Sequence, residues 1–304
     1  MNYRSAGIVA AILLIISSVC TRQAAAQAAQ AQPAPPSQAA SAPPATPSDP
    51  VLTTAENLIG KALFLRGFYA SNSLSYDAAG SLTGADDRRG DWTLAGVNVL
   101  KATRRGTEAI ELEGLRAAIR YNPEAHEFQR HPQNSEQMRL LIQLAGMDPA
   151  ATARQLRAAF SSIFSVGIDP ALQHSMPPLW SHFFDPNLPW PPDALTGQTI
   201  YPMLGQAGQP RDVTMPLLAH RVDTRFTDFA ARDKVTGQLQ LRLVVDVQGL
   251  AQRVVVAHPL GYGLEEQAAE TVAKWRFDPA IRQGLPVAAA IVVNLDFETA
   301  PARR

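Results

Sequence analysis

Leu239, Leu241, Leu243, Val245 and Val247 alternate with Gln238, Gln240, Arg242 and Asp246, a period of two that predicts a strand with one buried and one wet face. Gln248-Gly249 supplies a tight turn, and residues 250–258, with Val254, Val255 and Val256, return as the second strand of a hairpin. Beyond Pro259 and the flexible Gly261-Tyr262-Gly263 the period changes. Leu264, Ala268, Val272 and Trp275 recur at helical spacing, with Glu265 and Glu266 in the first turn and Lys274 and Arg276 in the last, as a helix dipole favours. Asp278-Pro279 is expected to stop this helix, and Gly284 and Pro286 to turn the chain. Val287, Ala289, Ile291, Val293, Leu295 and Phe297 then alternate along a third strand. The predicted order is β, β, α, β.

Upstream, residues 61–69, 74–77, 91–103, 108–112 and 115–121 are β-like and separated by turn signals such as Ala79-Gly80, Arg105-Gly106 and Glu113-Gly114, which predicts an antiparallel meander. Two helices are expected next. The first follows Asn134-Ser135, with Met138, Leu141, Ile142 and Ala145 on one stripe. The second opens at Asp148-Pro149 and carries Ala153, Leu156, Phe160, Ile163 and Phe164. Residues 177–210 are dense in Pro and Gly but also hold Trp180, Phe183, Phe184 and Trp190, so they are expected to pack rather than to swing free. The fold class is α+β: a C-terminal ββαβ domain with a three-stranded antiparallel sheet and one packed helix, preceded by a β-rich meander with two helices.

The N-terminus changes the picture from cytosolic to exported. Arg4, the apolar run from Ala6 to Val19 and the small Ala24-Ala25-Ala26 read as a signal peptide over residues 1–26, the alternative being an uncleaved anchor. Residues 27–50, almost wholly Ala, Gln, Pro and Ser, cannot bury a core and predict a stiff disordered linker. The remaining expected boundaries are a domain at 51–202, a linker at 203–212, a C-terminal domain at 213–298 and a tail at 299–304.

The 304 residues carry a formal net charge of zero, which argues against a nucleic-acid partner held by charge. The single cysteine, Cys20, lies in the export segment, so no internal disulfide is available. The six histidines show no metal-binding pairing, no Gly-x-Ser-x-Gly elbow occurs, and Gly261-Tyr262-Gly263 lacks the residues of a phosphate loop. No catalytic residue, metal or cofactor is therefore assigned, and the chain reads as non-enzymatic.

The string from Gly237 to Ala280 is similar to the C-terminal domain of the TonB family, the periplasmic energy transducers of Gram-negative bacteria. The likeness is carried by the Gly-Tyr-Gly-Leu start of the helix, the run Lys274-Trp275-Arg276-Phe277-Asp278-Pro279-Ala280, and Gly284-Leu285-Pro286-Val287 before the last strand. It implies a periplasmic protein that binds an outer-membrane TonB-dependent receptor, or another envelope protein, by strand addition to the edge of the small sheet. The residues then expected to contact the partner are Val287, Ala288, Ala290, Val292, Asn294 and Asp296 on the last strand, with Trp275 and Arg276 at the helix exit as a second patch. Trp275 and Phe277 have an alternative role as anchors of the helix on the sheet. A homodimer is also compatible with this family, and membrane contact is expected if the N-terminal segment stays uncleaved. The competing function is a periplasmic or secreted small-ligand carrier, with Tyr69, Tyr76 and Trp92 lining a pocket in the meander and the last domain used only for docking. A hydrolase with a site scattered through the middle residues is a third reading.

Overall fold

Long complementary alternations pair with one another along the first part of the chain. The computed structural model describes residues 49–84, 87–146, 148–203 and 210–298; the signal peptide, nearly all of the linker at 27–50 and the tail at 299–304 fall outside the described residues. Helix α1 (Pro50–Glu56) is followed by β1 (Leu63–Leu65), β2 (Ser73–Tyr76), β3 (Leu82–Thr83), β4 (Gly96–Arg105), β5 (Ala109–Asn122) and β6 (Glu127–Gln143). Next come α2 (Pro149–Ile163), β7 (Phe164–Val166), α3 (Pro170–Ser175), α4 (Pro178–Phe184), β8 (Ile200–Pro202), β9 (Leu217–His220) and α5 (Asp228–Arg232). The last part holds β10 (Gly237–Val245), β11 (Ala251–His258), α6 (Leu264–Val272), β12 (Arg276–Asp278), β13 (Ala280–Arg282) and β14 (Leu285–Phe297).

The first sheet has seven strands in the order β3-β2-β6-β5-β4-β1-β7. Only β4, β5 and β6 form the expected antiparallel run: the turn expected at Glu113-Gly114 lies inside the continuous β5, where both residues pair with β4, and β2 joins β6 in parallel. The helix expected after Asn134-Ser135 is instead the second half of β6. The pattern Met138-Arg139-Leu140-Leu141-Ile142-Gln143 fits both periods. What decides is β5, which pairs with β6 from Ala109↔Gln143 to Asn122↔Glu127 and buries Met138, Leu140 and Ile142 while Arg139 and Gln143 stay wet. The second expected helix is α2. Asp148 accepts from Ala151 N at 2.7 Å and Pro149 opens the first turn, so the cap signal was sufficient there.

The second sheet runs β11-β10-β14-β13, with β8 paired to β14. The three strands expected from alternation are adjacent in it, and two short strands enlarge it. Gln283 and Gly284, both at positive φ, reverse the chain between β13 and β14. Helix α6 ends at Val272, not at Arg276. From Trp275 to Asp278 burial alternates, and Arg276–Asp278 pairs with β9 as β12. Lys274 and Arg276 therefore do not close a helical turn. Trp275 and Phe277 enter the core at strand spacing rather than helical spacing.

The segments expected as separate domains at 51–202 and 213–298 lie in one compact unit, Pro47–Arg304. One hydrophobic cluster runs through it from Val51, Trp92 and Ile110 to Leu241, Leu264 and Phe297. The joint is made by the loop before α6. Tyr121 N donates to Leu260 O at 3.1 Å and Tyr262 N to Ile119 O at 2.9 Å, docking the loop on the end of β5. A Cβ on Gly261, whose φ is +92°, would sit 2.1 Å from Ile119 O, so only glycine allows this approach. The motif that starts the helix thus also fastens it to the other sheet.

Candidate protein-binding edge

Strand β14 is the structural centre of the second sheet, and its two sides have different fates. On the inner side it pairs with β10 from Val245↔Ala289 to Gly237↔Phe297 without a register shift. Ala289, Ile291, Leu295 and Phe297 are buried and Val293 is half-buried, as their alternation predicts. On the outer side β13 takes Leu285 to Val287, and β8 takes Ala288 to Ala290 in parallel. Met203 N donates to Ala290 O at 2.8 Å, which fixes the direction of the ladder: the backbone groups of Ala290 point away from β10. Residues two apart point the same way, so the N–H and C=O of Val292, Asn294 and Asp296 also point outward. Among the described residues no strand pairs with them.

The six edge residues expected to meet a partner therefore divide. Val287, Ala288 and Ala290 lie where the chain's own strands already sit, opposite Ala280, Ile200 and Pro202. Val292, Asn294 and Asp296 are solvent-exposed, and Gln238 Nε2 donates to Asp296 Oδ1 at 2.8 Å across the outer face. The opposite end of the sheet is better protected. Helix α4 packs on β11. Arg253 grips Asp193 with two hydrogen bonds of 2.6 and 2.7 Å and lies over the Trp190 ring. Arg253 holds the Asp193 carboxyl below its ordinary value, down to about 2.

The second expected patch is mostly interior. Trp275 is 3% exposed and its indole N–H donates to Val222 O at 2.8 Å, so the ring anchors the helix exit. Arg276 is exposed, and its Nη1 donates to Trp275 O at 2.7 Å. The ligand pocket expected in the meander is not formed by the residues named for it. Tyr76 and Trp92 are buried in the core, and the broad open cleft on that sheet is lined instead by Asn72, Leu100, Lys101, Glu113 and Arg139. Among the described residues no group of three or more His, Cys, Asp or Glu could hold a metal, and no helix is long and apolar enough to cross a membrane.

One polar feature escaped the sequence. Glu265, expected as a helix-dipole partner, is fully buried, and its Oε1 accepts from Leu260 N at 2.6 Å and Gly261 N at 2.7 Å. Asp91, also buried, caps the turn at Trp92–Leu94. Next to it Thr93 Oγ1 accepts from Gly263 N at 2.8 Å. Burial, and then the proximity of Asp91, pushes the Glu265 carboxyl well above its usual range, and burial raises Asp91 too. The acid at the second position of a helix is a common dipole signal, and nothing local distinguishes this one.

Residues 224–299 match the model of the Gram-negative bacterial TonB protein C-terminal family. Among solved structures, the solution NMR structure of the Pseudomonas aeruginosa TonB C-terminal domain is similar over 31% of this chain and 93% of that one, at 18% identity and a TM-score of 0.25. No curated protein matches the chain. Residues 224–299 are therefore similar to the TonB C-terminal family, and the family model does not cover the residues before them.

Proposed function

We propose that this is a non-enzymatic protein of the cell envelope that binds an extended segment of a partner by strand addition to the outer edge of β14. The observation that supports this most is the row of outward backbone groups at Val292, Asn294 and Asp296, which stays unpaired among the described residues beside the part of β14 that β13 and β8 already pair. A strand edge of this kind is a ready template for another chain. The partner class suggested by the family is an outer-membrane receptor or another envelope protein facing the periplasm. A part in energy-dependent transport follows if the N-terminal segment holds the protein in the inner membrane.

The register identifies the variant that separates binding from folding. Val292→Pro removes an outward N–H and obstructs an incoming strand, whereas Val293→Pro removes a bond to β10. We expect Val292→Pro to keep its circular dichroism spectrum and to lose at least tenfold in affinity for peptides copied from the periplasmic segments of outer-membrane receptors. Val293→Pro should unfold the sheet. Unchanged peptide affinity in a folded Val292→Pro protein would remove this edge from consideration.

A further inference from the structure

The edge of β14 already carries an added strand, and that strand belongs to the chain itself. Ile200, Tyr201 and Pro202 lie parallel to Ala288, Ala289 and Ala290, and the ladder is extended by the bond from Met203 N to Ala290 O. The three residues of this strand are few and at most half-buried, and the buried anchor of the segment is Met203, just beyond them, which is 1% exposed. Ile200 and Tyr201 are half-buried and Pro202 is exposed, whereas β10 lies on the other side of β14 with nine paired residues. Ile200 is the residue of β8 that packs with the small apolar cluster of Leu195, Val244 and Ala288, separate from the main core. Tyr201 rests partly buried against the rim of the main core, its hydroxyl accepting from Arg282 Nη1 at 2.7 Å. Segments with few buried contacts open at far lower free energy than the core they rest on.

We infer that β8 is an exchangeable occupant of the docking edge, a strand added in cis that a partner must displace to pair with the full length of β14. The inference rests on the strand-addition reading of this edge. It also sets a chemical requirement on the displacing segment. To replace β8 it needs an aliphatic side chain at the position of Ile200, because the niche formed by Leu195, Val244 and Ala288 would otherwise be left open to water. A proline two residues further on is compatible, since Pro202 occupies that position in β8. A partner that pairs at Val292, Asn294 and Asp296 alone leaves β8 in place and binds more weakly.

The test uses a fluorescent peptide copying residues 197–203, Gly-Gln-Thr-Ile-Tyr-Pro-Met, and the full chain in three forms. The first is the native sequence. In the second, Ile200→Gly with Tyr201→Gly loosens β8. In the third, Ile200→Cys with Ala288→Cys, made with Cys20→Ser, locks it by a disulfide. The loosened protein should bind the peptide at least tenfold more tightly than the native one. The oxidised lock should not bind it, and reduction should restore binding. Equal affinity in the native, loosened and locked forms, or a folded loosened protein that does not bind, would overturn the inference and make β8 a fixed staple. If the loosened form does not fold, the comparison of oxidised and reduced lock decides alone. Receptor-derived peptides tell the two proposals apart. If they bind native and oxidised-locked protein equally, docking stands and β8 exchange falls; if the copied peptide is gated but no receptor peptide binds any form, the partner reading falls and exchange stands.

Discussion

The C-terminal domain meets the rest of its chain at two places built in opposite ways. At the joint before α6, a glycine loop is pressed on β5, a buried glutamate ties that loop to its own helix, and Thr93 accepts a bond from Gly263. At the edge of β14, contact is a three-residue parallel strand with Ile200 in a small apolar niche, Tyr201 half-buried and Met203 beyond it in the core. The joint is closed by groups that have no alternative partner once water is excluded. The edge is closed by backbone bonds that any extended chain can supply. A contact made of buried, shape-matched groups fixes a domain, whereas one made of a generic ladder remains replaceable.

The largest expected effect is in the interior. Trp275→Ala removes a buried ring and leaves Val222 O without its donor, and should cost about 3–5 kcal/mol in denaturant unfolding. A cost near zero would return the helix exit to the list of candidate surfaces. Gly261→Ala comes next. Its Cβ cannot be accommodated beside Ile119 O, and the expected loss is about 1–3 kcal/mol, with the single unfolding transition of the native chain separating into two. If the variant still unfolds in one transition at native stability, the joint does not hold the two sheets together.

The acidic pair sharpens the comparison through pH. In the folded protein Glu265 and Asp91 bind their protons more tightly than in the unfolded chain, where they ionise near their ordinary values of about 4. The unfolded state therefore holds fewer protons than the folded state above that point, and stability falls as pH rises from about 4 into the neutral range. Glu265→Gln keeps an acceptor for Leu260 N and Gly261 N without the titration. It should flatten that fall, as thermal melts between pH 4 and 8 would show, and an unchanged slope would exclude Glu265 as its source. The smallest effect belongs to the open edge: Asn294→Ala should alter stability by no more than about 0.5 kcal/mol, since its side chain is exposed. A larger loss would mean that the outer face is covered.

Much of the second sheet was legible because its signals are local. The β10–β11 hairpin, α6 and β14 follow from periods of two and 3.6, and the turn at Gln248-Gly249 from a residue able to take positive φ. The inward and outward sets of β14 followed from alternation alone. Non-local contacts decided the rest. Met138 to Gln143 fits two periods, and the presence of β5 alongside made it a strand. Trp275 to Asp278 left the helix because β9, some sixty residues earlier, offered a partner. Glu265 looked like any acid at a helix start, and its burial comes with the docking of its loop on β5 and on the distant turn at Trp92–Leu94, where Thr93 accepts from Gly263 N. The occupation of β14 by Ile200–Pro202 had no trace in the pattern, because a backbone ladder demands little of the side chains that join it. Sequence period determines which face of an element is apolar; which element lies against that face, and which edge stays free, is a property of the assembled chain.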